Sequence, residues 1–120
     1  MNARRQALEA LCDVTDRGAY ANLRVKQLHE LLPEREAKMA AALVYHTLDH
    51  LLTIDYYLSH FVKGSQKPVI RGILRLGVCE LLYLSTPAHA AVSESVALVR
   101  EVGKPALAGF VNAVLRNIDR

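Results

Sequence analysis

Apolar residues recur along most of the chain at the three- and four-residue intervals that place side chains on one face of a helix. The first segment shows this clearly, with one face formed by Ala7, Leu8, Leu11 and Val14. Gly18 follows as a helix stop, because glycine readily takes the left-handed conformation that ends many helices. No run of four or more residues alternates cleanly enough between apolar and polar positions to predict a strand. The pattern therefore predicts an all-α fold.

Capping residues, glycines and prolines divide this pattern into segments. Asn22 and Thr53 are candidate amino-terminal caps of the second and fourth helices, and Ser93 or a near neighbour starts the sixth. Pro68 suits the first position of the fifth helix, where proline gives up no backbone hydrogen bond. These signals predict seven helices, at about residues 2–17, 22–32, 34–48, 54–62, 68–84, 93–102 and 106–120. Such short connections predict one compact helical bundle, a single domain over residues 1–120.

Length, composition and cysteine content limit the class of protein. With 120 residues and 52% hydrophobic residues, the chain can build one core, and disorder is not expected. Cys12 and Cys79 are too few and too far apart for a disulfide framework. The longest apolar stretch, residues 73–84, is interrupted by Arg75 and Glu80 and is too short to span a bilayer. Because no signal-peptide core follows the first residues either, we expect a reduced, cytoplasmic protein with no membrane partner.

Three segments in the second half of the chain carry a more specific pattern. They are residues 71–82 (RGILRLGVCELL), 87–96 (PAHAAVSESV) and 109–116 (GFVNAVLR). In this order and spacing they resemble the NusB-like family, most closely the amino-terminal domain of the RsmB/Sun-type methyltransferases that modify cytosine in small-subunit ribosomal RNA. Free NusB antitermination factors usually have glycine and aspartate where this chain has Ala113 and Arg116. The resemblance covers nearly the whole chain and is strongest over residues 67–116.

The resemblance implies a NusB-like bundle that binds RNA. Such a module would position small-subunit ribosomal RNA for a cytosine-5 methyltransferase domain, either on the same chain or on a separate one. The full enzymes of this type depend on S-adenosylmethionine and carry a second domain, with a glycine-rich cofactor loop and cysteines that attack the base. Nothing in this chain resembles that domain. We therefore expect no catalytic residues, no enzymatic activity and no cofactor in this chain.

Two other functions remain open. NusB factors work with a ribosomal protein partner, and a helical bundle could also pack against a methyltransferase domain, so the chain could be a protein-docking module. It could also be a free transcription antitermination factor, which Ala113 and Arg116 disfavour.

Two arginines near the amino terminus are the first candidate RNA contacts. Arg4 and Arg5 lie in the first turn of a helix, where each positive charge opposes the helix dipole by roughly 0.3–1 kcal/mol. Phosphate groups would reverse this penalty, because they favour both the arginines and the helix amino end. The family resemblance supports this role, since related chains have a basic amino terminus. The alternative is that both arginines are exposed and simply aid solubility.

A basic stripe on the fifth helix is the second candidate. Lys67, Arg71 and Arg75 are spaced by four residues, so they follow one helix face, opposite much of the apolar seam. Phosphate contacts would neutralise their mutual repulsion. The alternative is a solvated face on which Arg71 or Arg75 pairs with an acid such as Glu80 or Glu94.

The last helix supplies the third candidate group. Asn112 and Arg116 are one turn apart on one face, and Phe110 matches the phenylalanine that lies near the RNA surface in the NusB-like family. Each residue could instead have a structural role. Asn112 could hydrogen bond to a loop backbone, and Phe110 could pack in the core. Arg116 suits the carboxyl end of a helix, where a positive charge interacts favourably with the helix dipole. The predicted RNA-binding residues are thus Arg4, Arg5, Lys67, Arg71, Arg75, Phe110, Asn112 and Arg116.

A histidine pair is the one feature that suggests a metal. His46 and His50 are four residues apart, a spacing that can chelate an ion from one helix face. No third ligand follows on a nearby helix, so partly exposed histidines on a polar face are the favoured interpretation. The family resemblance falters here, since related chains usually have glycine and arginine where this chain has His46 and Asp49. We expect no metal site.

Overall fold

The computed structural model describes residues 2–120, and within that range it contains helices and no strand. The seven α-helices are α1 (Ala3–Arg17), α2 (Ala21–Leu31), α3 (Glu34–Asp49), α4 (Leu51–Ser59), α5 (Pro68–Tyr83), α6 (Ala88–Glu101) and α7 (Ala108–Asp119), with a short 3₁₀ turn, Pro105–Leu107, before α7. The predicted all-α fold of about seven helices is confirmed. None of the helices in this range combines the length and the apolarity that crossing a bilayer requires.

α5 is the central helix, and α1, α3, α4, α6 and α7 all pack against it. Every residue from Gly72 to Glu80 is buried. Two glycines on α5 leave room for side chains of neighbouring helices close to its backbone. A Cβ atom at Gly72 would lie 2.8 Å from Leu8 Cδ1, and a Cβ atom at Gly77 would lie 2.8 Å from Leu115 Cδ1. α1 and α7 therefore press directly against the α5 backbone.

α1 and α5 run antiparallel, as their contacts show. Arg4, in the first turn of α1, bonds Glu80 near the end of α5. Cys12, two turns further along α1, has its Sγ atom 3.7 Å from the carbonyl oxygen of Pro68, the first residue of α5. The start of α1 is therefore beside the end of α5.

α3 runs parallel to α5, so its end reaches the same place. Thr47 in the last turns of α3 lies beside Cys79, and His50, the residue that ends α3, stacks on Tyr83, the last residue of α5. The start of α1, the end of α3 and the end of α5 thus meet at one end of the bundle, which we call the α1-start end.

Three helix starts differ from the sequence prediction. α2, α4 and α6 begin at Ala21, Leu51 and Ala88 rather than at positions 22, 54 and 93. Asn22, Thr53 and Ser93 consequently lie inside helices instead of starting or capping them. None of the three starts has a side-chain cap. A cap stabilises a helix start by only about 1 kcal/mol, and packing of an apolar face outweighs it.

Candidate nucleic-acid interface

Asn2 caps α1, and the first turn that follows carries Arg4 and Arg5. The Asn2 side-chain oxygen accepts hydrogen bonds from the backbone N–H groups of Arg4 and Arg5, at 2.8 and 3.3 Å. Successive residues of a helix point in directions about 100° apart. The two guanidinium groups therefore leave the same turn toward different surroundings.

The Arg4 guanidinium is tied to acidic side chains. Its Nε and Nη2 atoms donate to the two carboxylate oxygens of Glu80 at 3.0 and 2.7 Å, and its Nη1 atom lies 3.4 Å from Glu94 Oε2. Only 3% of the Glu80 side chain is exposed. The hydrogen bond to Glu80 raises the pKa of Arg4 above its ordinary value. The expectation that Arg4 presents a free charge to solvent is therefore wrong, because this arginine neutralises a buried carboxylate.

Arg5 lines a surface cleft of about 700 Å³ between α1, α2, the start of α5 and the end of α6. We call this the α1 cleft. Its charged lining residues are Arg5, Glu9, Asp13, Asp16, Arg17 and Arg24. Arg17 and Arg24 both form ion pairs with Asp13. Of these three arginines, Arg5 is the one without an ion pair within residues 2–120, and its Nη1 atom is 3.4 Å from the Glu101 carbonyl oxygen.

The basic stripe predicted on α5 is not a solvated face. Arg75 is buried, with 8% of its surface exposed, and its Nε and Nη2 atoms each donate to the Asp55 carboxylate at 2.9 Å. The prediction of a solvent-facing Arg75 is wrong because α4 packs over this part of α5 and supplies Asp55. The acids named as partners from the sequence, Glu80 and Glu94, bind Arg4 instead.

The other two residues of the stripe, Lys67 and Arg71, have no carboxylate partner in the described part of the chain. Lys67 is exposed immediately before α5. Arg71 is partly buried and lines a second cavity, of about 380 Å³, between α4, the loop that follows it and α5. Its Nη2 atom donates to the Gln66 carbonyl oxygen at 3.3 Å, whereas its Nε atom is buried without a hydrogen-bond partner among residues 2–120.

On α7, the predicted residues form a small local arrangement. Arg116 is exposed, and its Nε atom donates to the Asn112 side-chain oxygen at 3.0 Å. Asn112 thus orients the side chain of Arg116, which lies one turn further along α7. Phe110 is partly buried and packs against the core, with part of its ring left accessible.

The eight predicted residues do not share a single surface. Glu80, which binds Arg4, is thirteen residues beyond Lys67, or about 20 Å along α5. Arg71 and Arg75 face α4. Arg5 and the start of α5 do come together, because Pro68 lines the α1 cleft with Arg5. One pair of predicted positions, Arg5 and Lys67, is therefore brought to one region of the surface.

α4 and the turn that follows it expose apolar side chains that are not among the predicted site residues. Leu52 is 88% exposed and Tyr56 is 64% exposed, and Tyr57 and Phe61 are also accessible. We call these four residues the α4 face. The segment is apolar on most sides, so its pattern did not show which side would remain uncovered.

The histidine pair belongs to a row of rings that the sequence spacing could not reveal. The rings of His50 and Tyr83 are stacked, with centroids 3.7 Å apart and planes within 5°. The His46 ring is also within 5° of the His50 plane, with centroids 6.5 Å apart. Tyr83 comes from another helix, so only the packing of α3 on α5 brings it here. No group of three metal-binding side chains occurs among residues 2–120.

The comparisons with known proteins agree with this architecture. A model of the NusB family matches residues 1–120. The chain belongs to the NusB family. A solved structure of the antitermination factors NusB and NusE in complex with double-stranded RNA matches with a TM-score of 0.88 and 28% sequence identity, over 98% of this chain and 92% of that one. A second structure, described as a plectonemic RNA supercoil, gives a TM-score of 0.86 at 28% identity, over 97% and 90% of the two chains.

Full-length relatives of this NusB-family chain are named as ribosomal RNA methyltransferases. The "Probable ribosomal RNA small subunit methyltransferase B" of Bacillus subtilis (strain 168) is 36% identical over 119 residues, which are 95% of this chain and 27% of that protein. The ribosomal RNA small subunit methyltransferase B of Vibrio vulnificus (strain YJ016) is 30% identical over 124 residues, covering this whole chain and 29% of the relative. The chain thus spans less than a third of the length of these relatives and corresponds to their NusB-like part.

Proposed function

We propose that this chain is an RNA-binding module that positions small-subunit ribosomal RNA for a cytosine-5 methyltransferase domain, in cis or in trans. The observation that carries the proposal is that nearly the whole chain matches proteins of two kinds. The first is NusB, in a structure that contains double-stranded RNA, and the second comprises proteins named as ribosomal RNA methyltransferases. In this proposal methyl transfer and its cofactor belong to the other domain, and this module contributes binding.

The cations that remain available support an RNA surface. Five of the fifteen lysines and arginines form ion pairs within the described residues, namely Arg4, Arg17, Arg24, Lys38 and Arg75. The other ten have no such partner, and they include Arg5, Lys67, Arg71 and Arg116. Affinity for nucleic acid comes largely from contacts between such groups and phosphates.

The α1 cleft is the surface that we propose for the RNA backbone. Arg5 and Cys12 are seven residues apart on α1, about 10 Å, and Cys12 touches Pro68 beside Lys67. Arg5 and Lys67 can therefore each contact a phosphate along this surface, where the acidic residues Glu9, Asp13 and Asp16 are offset in part by Arg17 and Arg24. Arg71, Arg116, Asn112 and Phe110 would extend the contact to neighbouring surfaces. We assign structural roles to Arg4 and Arg75, since their guanidinium groups already have carboxylate partners.

The salt dependence of RNA binding tests this proposal. For a small-subunit ribosomal RNA fragment, the affinity should fall steeply with salt, and Arg5→Gln and Lys67→Gln should each reduce the slope of log K against log [salt] by about 0.7–1. Fluorescence anisotropy with a labelled fragment at 50–200 mM salt measures both quantities. Lys38→Gln is the matched control, because Lys38 already pairs with Glu34. The proposal would be contradicted if all three substitutions changed the salt slope equally, or if the unmodified chain bound no RNA at low salt.

Protein docking is the second candidate function, and the α4 face favours it. Exposed apolar groups on and just after one helix can mark a protein contact, and NusB occurs with NusE in one of the similar structures. We propose that a ribosomal protein or the methyltransferase domain is the partner of this face. The same titrations separate the two functions, since a chain that binds no RNA at low salt would leave docking as the supported one.

A further inference from the structure

The row of rings at the α1-start end has a geometry that suits a nucleobase. His46 and His50 lie on α3 and at its end, and Tyr83 is the last residue of α5. The His50 ring is held against Tyr83 with a centroid distance of 3.7 Å. The next ring outward, His46, is 6.5 Å from His50 by centroid and nearly parallel to it.

Exposure makes the outer part of this row available to a ligand. His46 is exposed to solvent, whereas His50 and Tyr83 are partly buried. Contact with Tyr83 fixes the orientation of the His50 ring before any ligand arrives, which lowers the ordering cost of binding. A planar group that stacks on His46 and His50 would therefore meet a preformed surface.

The position of the row connects it with the start of α1. Tyr83 is three residues beyond Glu80, about 4.5 Å along α5, and Glu80 holds Arg4. The charges of Arg4 and Glu80 offset each other, and the neighbouring Asp49 is exposed and acidic. The local charge therefore favours an uncharged base over a phosphate at this point.

We propose that His46, His50 and Tyr83 form a stacking platform for one unpaired base of the bound RNA. Sequence-tolerant recognition of single-stranded and loop RNA commonly uses aromatic side chains in this way. The inference rests on the RNA-binding function proposed above and adds a preference for RNA with an unpaired nucleotide. It concerns residues that the resemblance to relatives does not cover, since the family pattern falters at His46.

Substitutions at His46 test the platform, because an exposed position tolerates them without loss of the fold. The probe is an RNA hairpin with 2-aminopurine in its loop, compared with a fully paired duplex of the same length. His46→Ala should weaken hairpin binding about 5- to 100-fold, change duplex binding less than about twofold and abolish the quenching of 2-aminopurine fluorescence. His46→Phe should restore both affinity and quenching, because it keeps a stacking ring. His29→Ala, at an exposed histidine on α2, should behave as the unmodified chain.

The outcomes separate this inference from the broader proposal. If the unmodified chain binds the hairpin but His46→Ala binds it equally well, the platform is wrong and RNA binding stands. A loss in His46→Ala that His46→Phe does not reverse would also overturn the platform, because it would indicate a hydrogen bond or charge rather than stacking. Absence of RNA binding by the unmodified chain at low salt would overturn both.

Discussion

Arg4 and Arg5 are neighbours in the chain, but they have different physical roles. Arg4 compensates the buried carboxylate of Glu80, whereas Arg5 is partly exposed at the α1 cleft. Their shared place in the basic first turn of α1 predicts that both contact RNA. At the scale of single residues, a positive charge is available to RNA only where the fold gives it no carboxylate partner.

The neighbouring arginines provide a matched pair for a stability measurement. Arg4→Ala leaves the Glu80 carboxylate buried and unpaired, so it should lower the free energy of unfolding by about 2–4 kcal/mol. Arg5→Ala should lower it by less than about 0.5 kcal/mol, as expected for a surface position. Urea denaturation at pH 7 measures both. Adding Glu80→Gln to Arg4→Ala should recover part of the loss, and similar losses for the two single variants would show that Glu80 does not depend on Arg4.

At the scale of helices, α5 determines where the other elements can lie. Its glycines replace side chains at two contact points, so α1 and α7 approach its backbone closely. The helical period predicted α5 and its proline start correctly. The same period predicted Lys67, Arg71 and Arg75 on one face, but it did not show that α4 would pack over Arg71 and Arg75 and supply Asp55.

Two glycines in helices should respond oppositely to alanine. A Cβ atom at Gly77 would lie 2.8 Å from Leu115 Cδ1 and 2.9 Å from Ser95 Oγ, whereas nothing lies within 4 Å of one at Gly109. Gly77→Ala should therefore destabilise the fold by about 1–3 kcal/mol through overpacking. Gly109→Ala should be neutral or stabilising by up to about 1 kcal/mol, because alanine favours the helix. Thermal and urea denaturation measure the difference, and a stabilising Gly77→Ala would show that α7 can move away from α5.

At the scale of the whole molecule, the bundle has one buried core and several separate surfaces. The α1 cleft, the α4 face and the row of rings are formed by different sets of residues, and each suits a different type of contact. The core encloses both cysteines, and neither is in a disulfide. Burial is the main cause that raises the pKa of each thiol above its ordinary value of 9.0. Both thiols are therefore packing groups, in contrast to a reactive thiolate.

The buried thiols imply a loss of stability in alkaline solution. Above about pH 9 the thiols of the unfolded chain lose protons that the folded chain retains, so unfolding becomes more favourable as the pH rises. The free energy of unfolding should fall by up to about 1.4 kcal/mol per pH unit for each thiol, with no contribution below pH 8. Urea denaturation from pH 7 to 10 measures this. The Cys12→Ala/Cys79→Ala variant should be less stable at pH 7 but should show a smaller fall, and an equal fall would assign the effect to other groups.

The candidate site was predicted from sequence only in part, and the failures have a common cause. Arg5, Lys67 and Arg116 are accessible cations, as the sequence reasoning assumed, but their contact with RNA remains a proposal. Arg4 was placed correctly at the start of α1, yet its acidic partner was missed because Glu80 is 76 residues away. No local pattern reports a pairing over such a distance.

The sequence by itself determined the helical period, the single apolar core and membership of the NusB family, because these depend on spacings within short segments. Only the tertiary structure decided which charges pair, which apolar face of α4 stays in solvent and which ring stacks on His50. Those properties arise where helices distant in the chain meet, and the free energy of each group there depends on its neighbours across the contact.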